Sequence, residues 1–303
     1  MTRAGPSTSR TSARGEDAST LSFSPPPEQN EVARLKEIAR ELRRDIVTMV
    51  HGAGSGHCGG SMSATEVIVS LYFGGALRYD PKNPKWPERD RFVLSKGHAT
   101  PILYSTLAHA GFFPHEDLKT FRKIDSHLQG HGHMRYTPGV EMTTGSLGQG
   151  FGASIGMALG LRLDNLPGHV FVMIGDGEAD EGAIWEGSQA AAHYKLDNLT
   201  CILDRNGIQM DGWTEQVMAH RDLKAKWAAF GWHVIEIDGH RYPEILPALK
   251  HRENGKPIMI IAKTVKGKGV SFMENNPAFH GKPPTTEQLA KALVEIDAGS
   301  IGD

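Results

Sequence analysis

The chain carries two spacings of apolar residues in succession. From 32 to 50 they recur at Leu35, Ile38, Ala39, Leu42, Ile46 and Val50, three or four apart, which predicts a helix with one buried stripe. A second helix is predicted over 64–73, with Ser63 as its N-cap. Residues 91–94 read as a short strand and 98–110 as another helix. Beyond Phe151 the alternation becomes regular. Helices over 153–163, 183–193, 223–230 and 243–251 are followed in turn by apolar runs over 170–174, 199–203, 234–237 and 257–262. Short apolar strands between amphipathic helices predict an α/β fold, a parallel sheet with helices on both faces. Sheets of this kind bind ligands at the carboxyl ends of their strands.

The first 29 residues break this pattern. They are rich in Ser, Thr, Pro and Arg, with Pro25, Pro26 and Pro27 in a row. Such a segment cannot bury enough apolar surface to order itself and is read as a disordered tail. It has no apolar stretch of the secretory type. Arg3, Arg10 and Arg14, with no acid before Glu16, leave an organelle transit peptide as the less favoured alternative. Residues 30–303 are read as one domain, with no internal repeat. No apolar run approaches the roughly 18 residues that span a bilayer. The 33 basic residues are balanced by 35 acidic ones, which gives no footprint for nucleic acid or an anionic membrane. Cys58 and Cys201 are too few for a disulfide framework or a four-cysteine zinc site, and a reducing, cytoplasmic compartment is expected.

The rule about strand ends directs attention to two tripeptides. Gly175-Asp176-Gly177 follows the run 170–174, and Asp204-Arg205-Asn206 follows 199–203. If those strands are neighbours, their ends lie about 4.8 Å apart. Asp176 and Asn206 then share reach of one cation, and a carboxylate with an amide oxygen suits Mg²⁺. Gly175 and Gly177 lack a Cβ, so a diphosphate can approach the backbone closely. Gly-Asp-Gly alone is an ordinary turn. Its place after an apolar strand, with an asparagine ending the next, resembles the diphosphate-binding signature of thiamine-diphosphate enzymes. The glycine run from 145 to 152 lacks the G-x-G-x-x-G spacing, which argues against a nicotinamide dinucleotide site.

Further motifs sharpen this resemblance. They are Ser55-Gly56-His57, Ser95-Lys96-Gly97-His98-Ala99, Gly130-His131 and Pro138-Gly139-Val140-Glu141. Then come Thr144-Gly145-Ser146-Leu147-Gly148-Gln149-Gly150, Gly175-Asp176-Gly177-Glu178 with Glu181 and Glu186, and Asp204-Arg205-Asn206-Gly207-Ile208. The last is His280-Gly281-Lys282-Pro283. In this order they resemble the transketolase family from about Glu31 to Pro284, and specifically the N-terminal, diphosphate-binding subunit of a split transketolase.

The resemblance implies thiamine diphosphate and Mg²⁺ as cofactors. Asp176 and Asn206 would bind Mg²⁺ by side chain and Ile208 by its carbonyl. Gly177 and His98 would lie against the diphosphate, and Gly145 and Leu147 against the aminopyrimidine. His57, His98, His131 and His280 would line the channel above the thiazolium, His280 also touching the cofactor, and would hydrogen-bond a ketose. Histidine suits this place because the reaction needs groups that donate and accept protons near neutral pH. Glu181 and Glu186 would join a carboxylate chain across a dimer interface; taken alone they are favourable charges at a helix N-terminus. Cys58 replaces a common proline, and Gly132 and His133 replace a proline and an acid. His131-Gly132-His133 has no third ligand at zinc spacing. His51, His109, His115, His127, His169, His193, His220, His233, His240 and His251 are read as structural or surface residues.

The implied activity is transfer of a two-carbon ketol unit between sugars or sugar phosphates. Whole transketolases continue into a pyrimidine-binding domain that supplies the cofactor-activating glutamate. The expectation is therefore a chain inactive alone, working with a C-terminal subunit, as an α2β2 assembly. The alternatives are half of a 2-oxoacid dehydrogenase or of a 1-deoxyxylulose-phosphate synthase relative, and a non-catalytic subunit of the same fold. His57, His131 and His280 together favour transketolase.

Overall fold

The computed structural model describes residues 28–210 and 212–299. Residues 1–27 of the expected tail lie outside them. The described residues open with helices α1 (Gln29–Ala53), α2 (Cys58–Ser63) and α3 (Thr65–Phe73), then strand β1 (Arg91–Leu94) and helix α4 (Thr100–His109). A long irregular segment leads to α5 (Gln149–Leu163), β2 (Val170–Gly175), α6 (Gly182–His193) and β3 (Leu199–Arg205). A small hairpin of β4 (Ile208–Gln209) and β5 (Gly212–Trp213) precedes α7 (Thr214–Val217) and α8 (Leu223–Ala229). The chain continues through β6 (His233–Asp238), α9 (Tyr242–Lys250), β7 (Ile258–Lys263) and α10 (Thr286–Asp297).

Five strands form one parallel sheet in the order β1-β2-β3-β7-β6. Its central strands are buried on both faces, as parallel strands flanked by helices must be. Alternate residues serve opposite cores. Phe171, Met173, Ile202, Ile258 and Ile260 face a layer fed by α1, α3, α4, α9 and α10. Val172, Ile174, Leu199, Cys201 and Ile261 face a layer fed by α5, α6 and α8. Each fully buried Ile, Val or Leu contributes about 1.5–3 kcal/mol relative to exposure. The edge strand β6 is only half covered and reverts to alternation.

The topology positions the site. After β3 the chain leaves for the far edge, forms β6, and returns to lay β7 beside β3. The strand order thus reverses between β3 and β7, and ligand crevices open at such a switch point. Gly175 pairs with Asp204, and Asp204 with Ala262, so the carboxyl ends of β2, β3 and β7 are level.

Several sequence expectations need correction. The helix expected over 64–73 is present as α3, but a further short helix, α2, precedes it, and Ser63 ends α2 instead of capping α3, whose N-cap is Ala64. The Ser63 hydroxyl donates to Asp204 Oδ2 (2.6 Å). The helix expected from 98 begins as a 3-10 turn over 97–99, and α4 starts at Thr100. Helix α5 starts four residues before the expected 153, at Gln149. Helix α1 begins at Gln29, inside the segment read as tail. No helix among the described residues is long and apolar enough to cross a membrane.

Candidate active site

Four adjacent strand ends converge on one cleft of about 460 Å³. The end of β1 supplies Lys96 and His98, that of β2 supplies Asp176, Gly177 and Glu178, and that of β3 supplies Asn206 and Ile208. Lys266 follows β7. His57 and Gly60 enter from the loop before α2 and from α2 itself, and His131, Gly145 and Leu147 from the segment before α5. His280 arrives from the turn before α10, and Glu181 stands at the rim. Every residue expected at the cofactor or in the channel is therefore brought together. Glu186 lies one turn into α6, exposed like Glu181.

Asp176 is the most telling residue. Its Oδ2 accepts from the Gly207 N–H (2.7 Å), but its Oδ1 is buried with no hydrogen-bond partner. Arg205 Nη1 and His220 Nδ1 each stand 3.7 Å from Oδ1, beyond hydrogen-bond reach. Burial, aided by nearby Asp204, pushes the carboxyl up to about 7 despite the Gly207 N–H. A buried carboxylate oxygen left bare is costly, and a bound cation would offset that cost. Asn206 Oδ1 accepts from Ile208 N (3.2 Å). The donor set is all oxygen and fits Mg²⁺. The Ile208 carbonyl accepts from Lys266 Nζ here (3.2 Å), so that ammonium and a cation would compete for it.

Beside this oxygen set lies a bare cradle. A Cβ on Gly177 would stand 3.0 Å from Gln209 Cβ, and one on Gly145 3.1 Å from the His131 ring. Gly145 also has φ +154°, in the region that favours glycine. Beneath the cradle is a buried polar cluster. Lys96 Nζ donates to Asp204 Oδ2 and to the Gly60 carbonyl. Burial alone would raise the Asp204 carboxyl, but Lys96 and the Ser63 and Thr264 hydroxyls hold it below the usual range. Burial pushes Glu178 up to about 7, although it accepts from the Ser95 hydroxyl and the Gly148 N–H.

Three imidazoles form a triangle over the cradle. The ring centroids of His57, His98 and His280 are 5.2, 5.3 and 5.4 Å apart. Burial, then the charges of Arg122, His131 and Lys266, lower His57 to about 4. Burial, then Lys266 and His57, lower His280 to about 3. Burial and Lys96 hold His98 well below its usual value, and burial with Arg122 lowers His131. These rings are neutral at neutral pH and present both a donor and an acceptor. His133 is engaged elsewhere: it stacks on Tyr136 and accepts from the Arg135 N–H.

Sequence reasoning missed Lys266 and gave no role to Asp204. Asp204 already stood in the tripeptide that ends β3, and Lys266 follows once the rule about strand ends is extended to β7. His220, read as structural or surface, is buried against Asp176 and stands 3.1 Å from Asp180.

Comparison with known proteins agrees with this geometry. Residues 34–296 match the family model described as the transketolase thiamine diphosphate binding domain. The chain is 46% identical over 265 residues to a 6-deoxy-6-sulfo-D-fructose transketolase subunit of a Clostridium species, covering 87% of this chain and 96% of that one. It is 40% identical over 268 residues to an apulose-4-phosphate transketolase subunit of Phocaeicola vulgatus, covering 88% and 95%. The transketolase structure from Campylobacter jejuni superposes with a TM-score of 0.80 at 34% identity, covering 89% of this chain and 43% of that one. The chain thus spans less than half the length of that transketolase. Motifs, sheet topology and similarity agree: the chain belongs to the transketolase family and carries its thiamine-diphosphate-binding domain.

Proposed function

We propose that this chain is the cofactor-binding subunit of a two-chain transketolase, moving a two-carbon ketol unit from a ketose or its phosphate to an aldose or its phosphate. One observation carries the reading: an orphaned carboxylate oxygen and an amide oxygen adjoin a glycine cradle roofed by neutral imidazoles. The two relatives matched over nearly their whole length are themselves named as subunits, which supports a separate partner carrying the pyrimidine-binding domain, in an α2β2 assembly. The free, buried Cys58 and Cys201 accord with a reducing, cytoplasmic setting.

In this reading Asp176, Asn206 and the Ile208 carbonyl hold Mg²⁺. Gly177 and His98 flank the diphosphate, with Lys96 and Lys266 lending positive charge. Gly145 and Leu147 offer backbone groups to the aminopyrimidine. When bound, thiamine diphosphate supplies the electron sink for cleaving a carbon–carbon bond. The protein's part is positioning and proton movement. His57, His98, His131 and His280 donate to the ketose oxygen that gains charge and accept the hydroxyl proton beside the breaking bond. Lys266 Nζ sits 2.7 Å from His280 Nδ1; by donating there it leaves the ring proton on Nε2. Glu181 and Glu186 are exposed, as a carboxylate chain across an interface requires.

The test is ketol transfer by the chain with its co-purified partner, thiamine diphosphate and Mg²⁺. Turnover of ketose phosphate is expected, with little on pyruvate, and Asp176→Ala should lower it by at least about 100-fold. Full activity in Asp176→Ala would overturn the cofactor assignment. Full turnover by the single chain would remove the two-chain part.

A further inference from the structure

Away from the cleft, the fold draws two histidines and an aspartate together from three elements. Asp45 lies on α1, His109 ends α4, and His115 opens the 3-10 turn over 115–120. Asp45 Oδ2 stands 3.0 Å from Nε2 of each histidine. The rings meet edge to face, with centroids 5.1 Å apart at 83°. Helix α4 starts beside His98 and ends at His109, so roughly 15 Å of helix separates this cluster from the cofactor cleft.

We infer that Asp45, His109 and His115 bind a divalent transition-metal ion of the zinc class, at a site separate from the Mg²⁺ position. Two imidazoles and a carboxylate are a zinc donor set and leave a fourth position for water. The three donor atoms lie within 4.8 Å of one another. An ion held at about 2.0–2.2 Å sets neighbouring donors roughly 3.0–3.5 Å apart, so the observed 3.0 Å contacts need little adjustment.

The outer partners of such a site are in place. The Ser105 hydroxyl donates to Asp45 Oδ2 (2.6 Å). Glu41 Oε2 stands 3.6 Å from His109 Nδ1, an ion-pair distance from which it would have to close to hydrogen-bond and orient a metal-bound imidazole. Each outer partner reaches across from the other helix, Ser105 of α4 to Asp45 of α1 and Glu41 of α1 to His109 of α4. Without an ion the two rings hydrogen-bond the carboxylate, His109 Nε2 at 3.0 Å from Oδ2 and His115 Nε2 at 3.0 Å from Oδ2 and 3.1 Å from Oδ1; an ion would take the place of the two ring protons. His115 is 56% exposed and provides the way in. Bound there, the ion ties α1, α4 and the turn over 115–120 together.

The test uses the full chain, stripped with chelator and titrated with Co²⁺ in the presence of Mg²⁺ and thiamine diphosphate. One equivalent should give visible ligand-field absorption, and Zn²⁺ should displace it. Because the imidazoles of the cleft can also take Co²⁺, two variants separate the sites. His57→Gln should keep the signal, and the exposed His115→Gln should weaken binding by at least about tenfold. Zn²⁺ should raise the Tm of the wild type and of His57→Gln but not of His115→Gln. No Co²⁺ signal in the wild type, or an unchanged signal in His115→Gln, would overturn the assignment.

Discussion

Lys96 and Asp204 form a buried ion pair under the cleft, satisfied on every side by Gly60, Ser63 and Thr264. Removing one partner leaves the other charge buried and alone. Lys96→Met is expected to cost about 3–5 kcal/mol, read by denaturant unfolding; a loss below about 1 kcal/mol would contradict the network described. The imidazoles make a second prediction. His57 is held near 4 in the folded chain, against an ordinary value of 6.5. Between those values the unfolded chain binds a proton that the folded ring refuses, so stability falls as pH drops through that window. His57→Gln should flatten the slope of unfolding free energy between pH 6 and 4; an unchanged slope would sink this reading. Asp176, Asn206, His57, His98, His131 and His280, which line one cleft, were legible because each sits in a local motif. Lys266 was hidden, since Lys266-Gly267-Lys268-Gly269 looks like a solvated turn. Its approach to His280 depends on β7 returning to lie beside β3.

The strands were legible because their apolar runs are short, uninterrupted and bounded by polar turns. Helix α2 was not, because Cys-Gly-Gly-Ser-Met-Ser is small and wholly buried, with no polar face to set a period. The start of α5 was lost for a related reason: its first turn is glycine-rich. Packing explains part of that composition. A Cβ on Gly150 would lie 2.6 Å from Ser95 Oγ and 2.8 Å from Ser95 Cα, so α5 could not sit this close to the end of β1. Gly150→Ala should therefore destabilise by about 1–3 kcal/mol. Gly156 and Gly160, on the same helix, have nothing within 4 Å of where a Cβ would stand. Gly156→Ala should instead gain about 0.5–1 kcal/mol. Thermal unfolding of the two variants checks both, and equal shifts would refute the packing argument. Helix α10 was legible in principle, through the capping box of Thr285 and Gln288, but it lies beyond the matching motifs and went unread.

Taken whole, the domain leaves an apolar surface beside its cleft. Met210, which lines the cleft, and Trp213, Val217 and Met218 are all exposed. In the proposed two-chain enzyme a partner carrying the pyrimidine-binding domain would have to reach the same cleft, and this surface is where it should pack. Val217→Asp with Met218→Asp should weaken co-purification of the partner by about tenfold or more while leaving the Tm of the chain unchanged. Undiminished capture would place the interface elsewhere. The fold as a whole could be read from the sequence, since alternating strands and helices admit few topologies. Which strand ends become level could not, because that depends on pairings far apart in the chain. The account rests on Asp176 and Asn206 holding one cation above those level ends. Titration of Mn²⁺, followed by electron paramagnetic resonance, tests this directly in the complex co-purified with the chain and thiamine diphosphate. One tightly held Mn²⁺ per chain is predicted, weakened in Asp176→Ala by at least the roughly 10–100-fold that loss of an outer partner costs. Equal Mn²⁺ affinity in the wild type and in Asp176→Ala would contradict it.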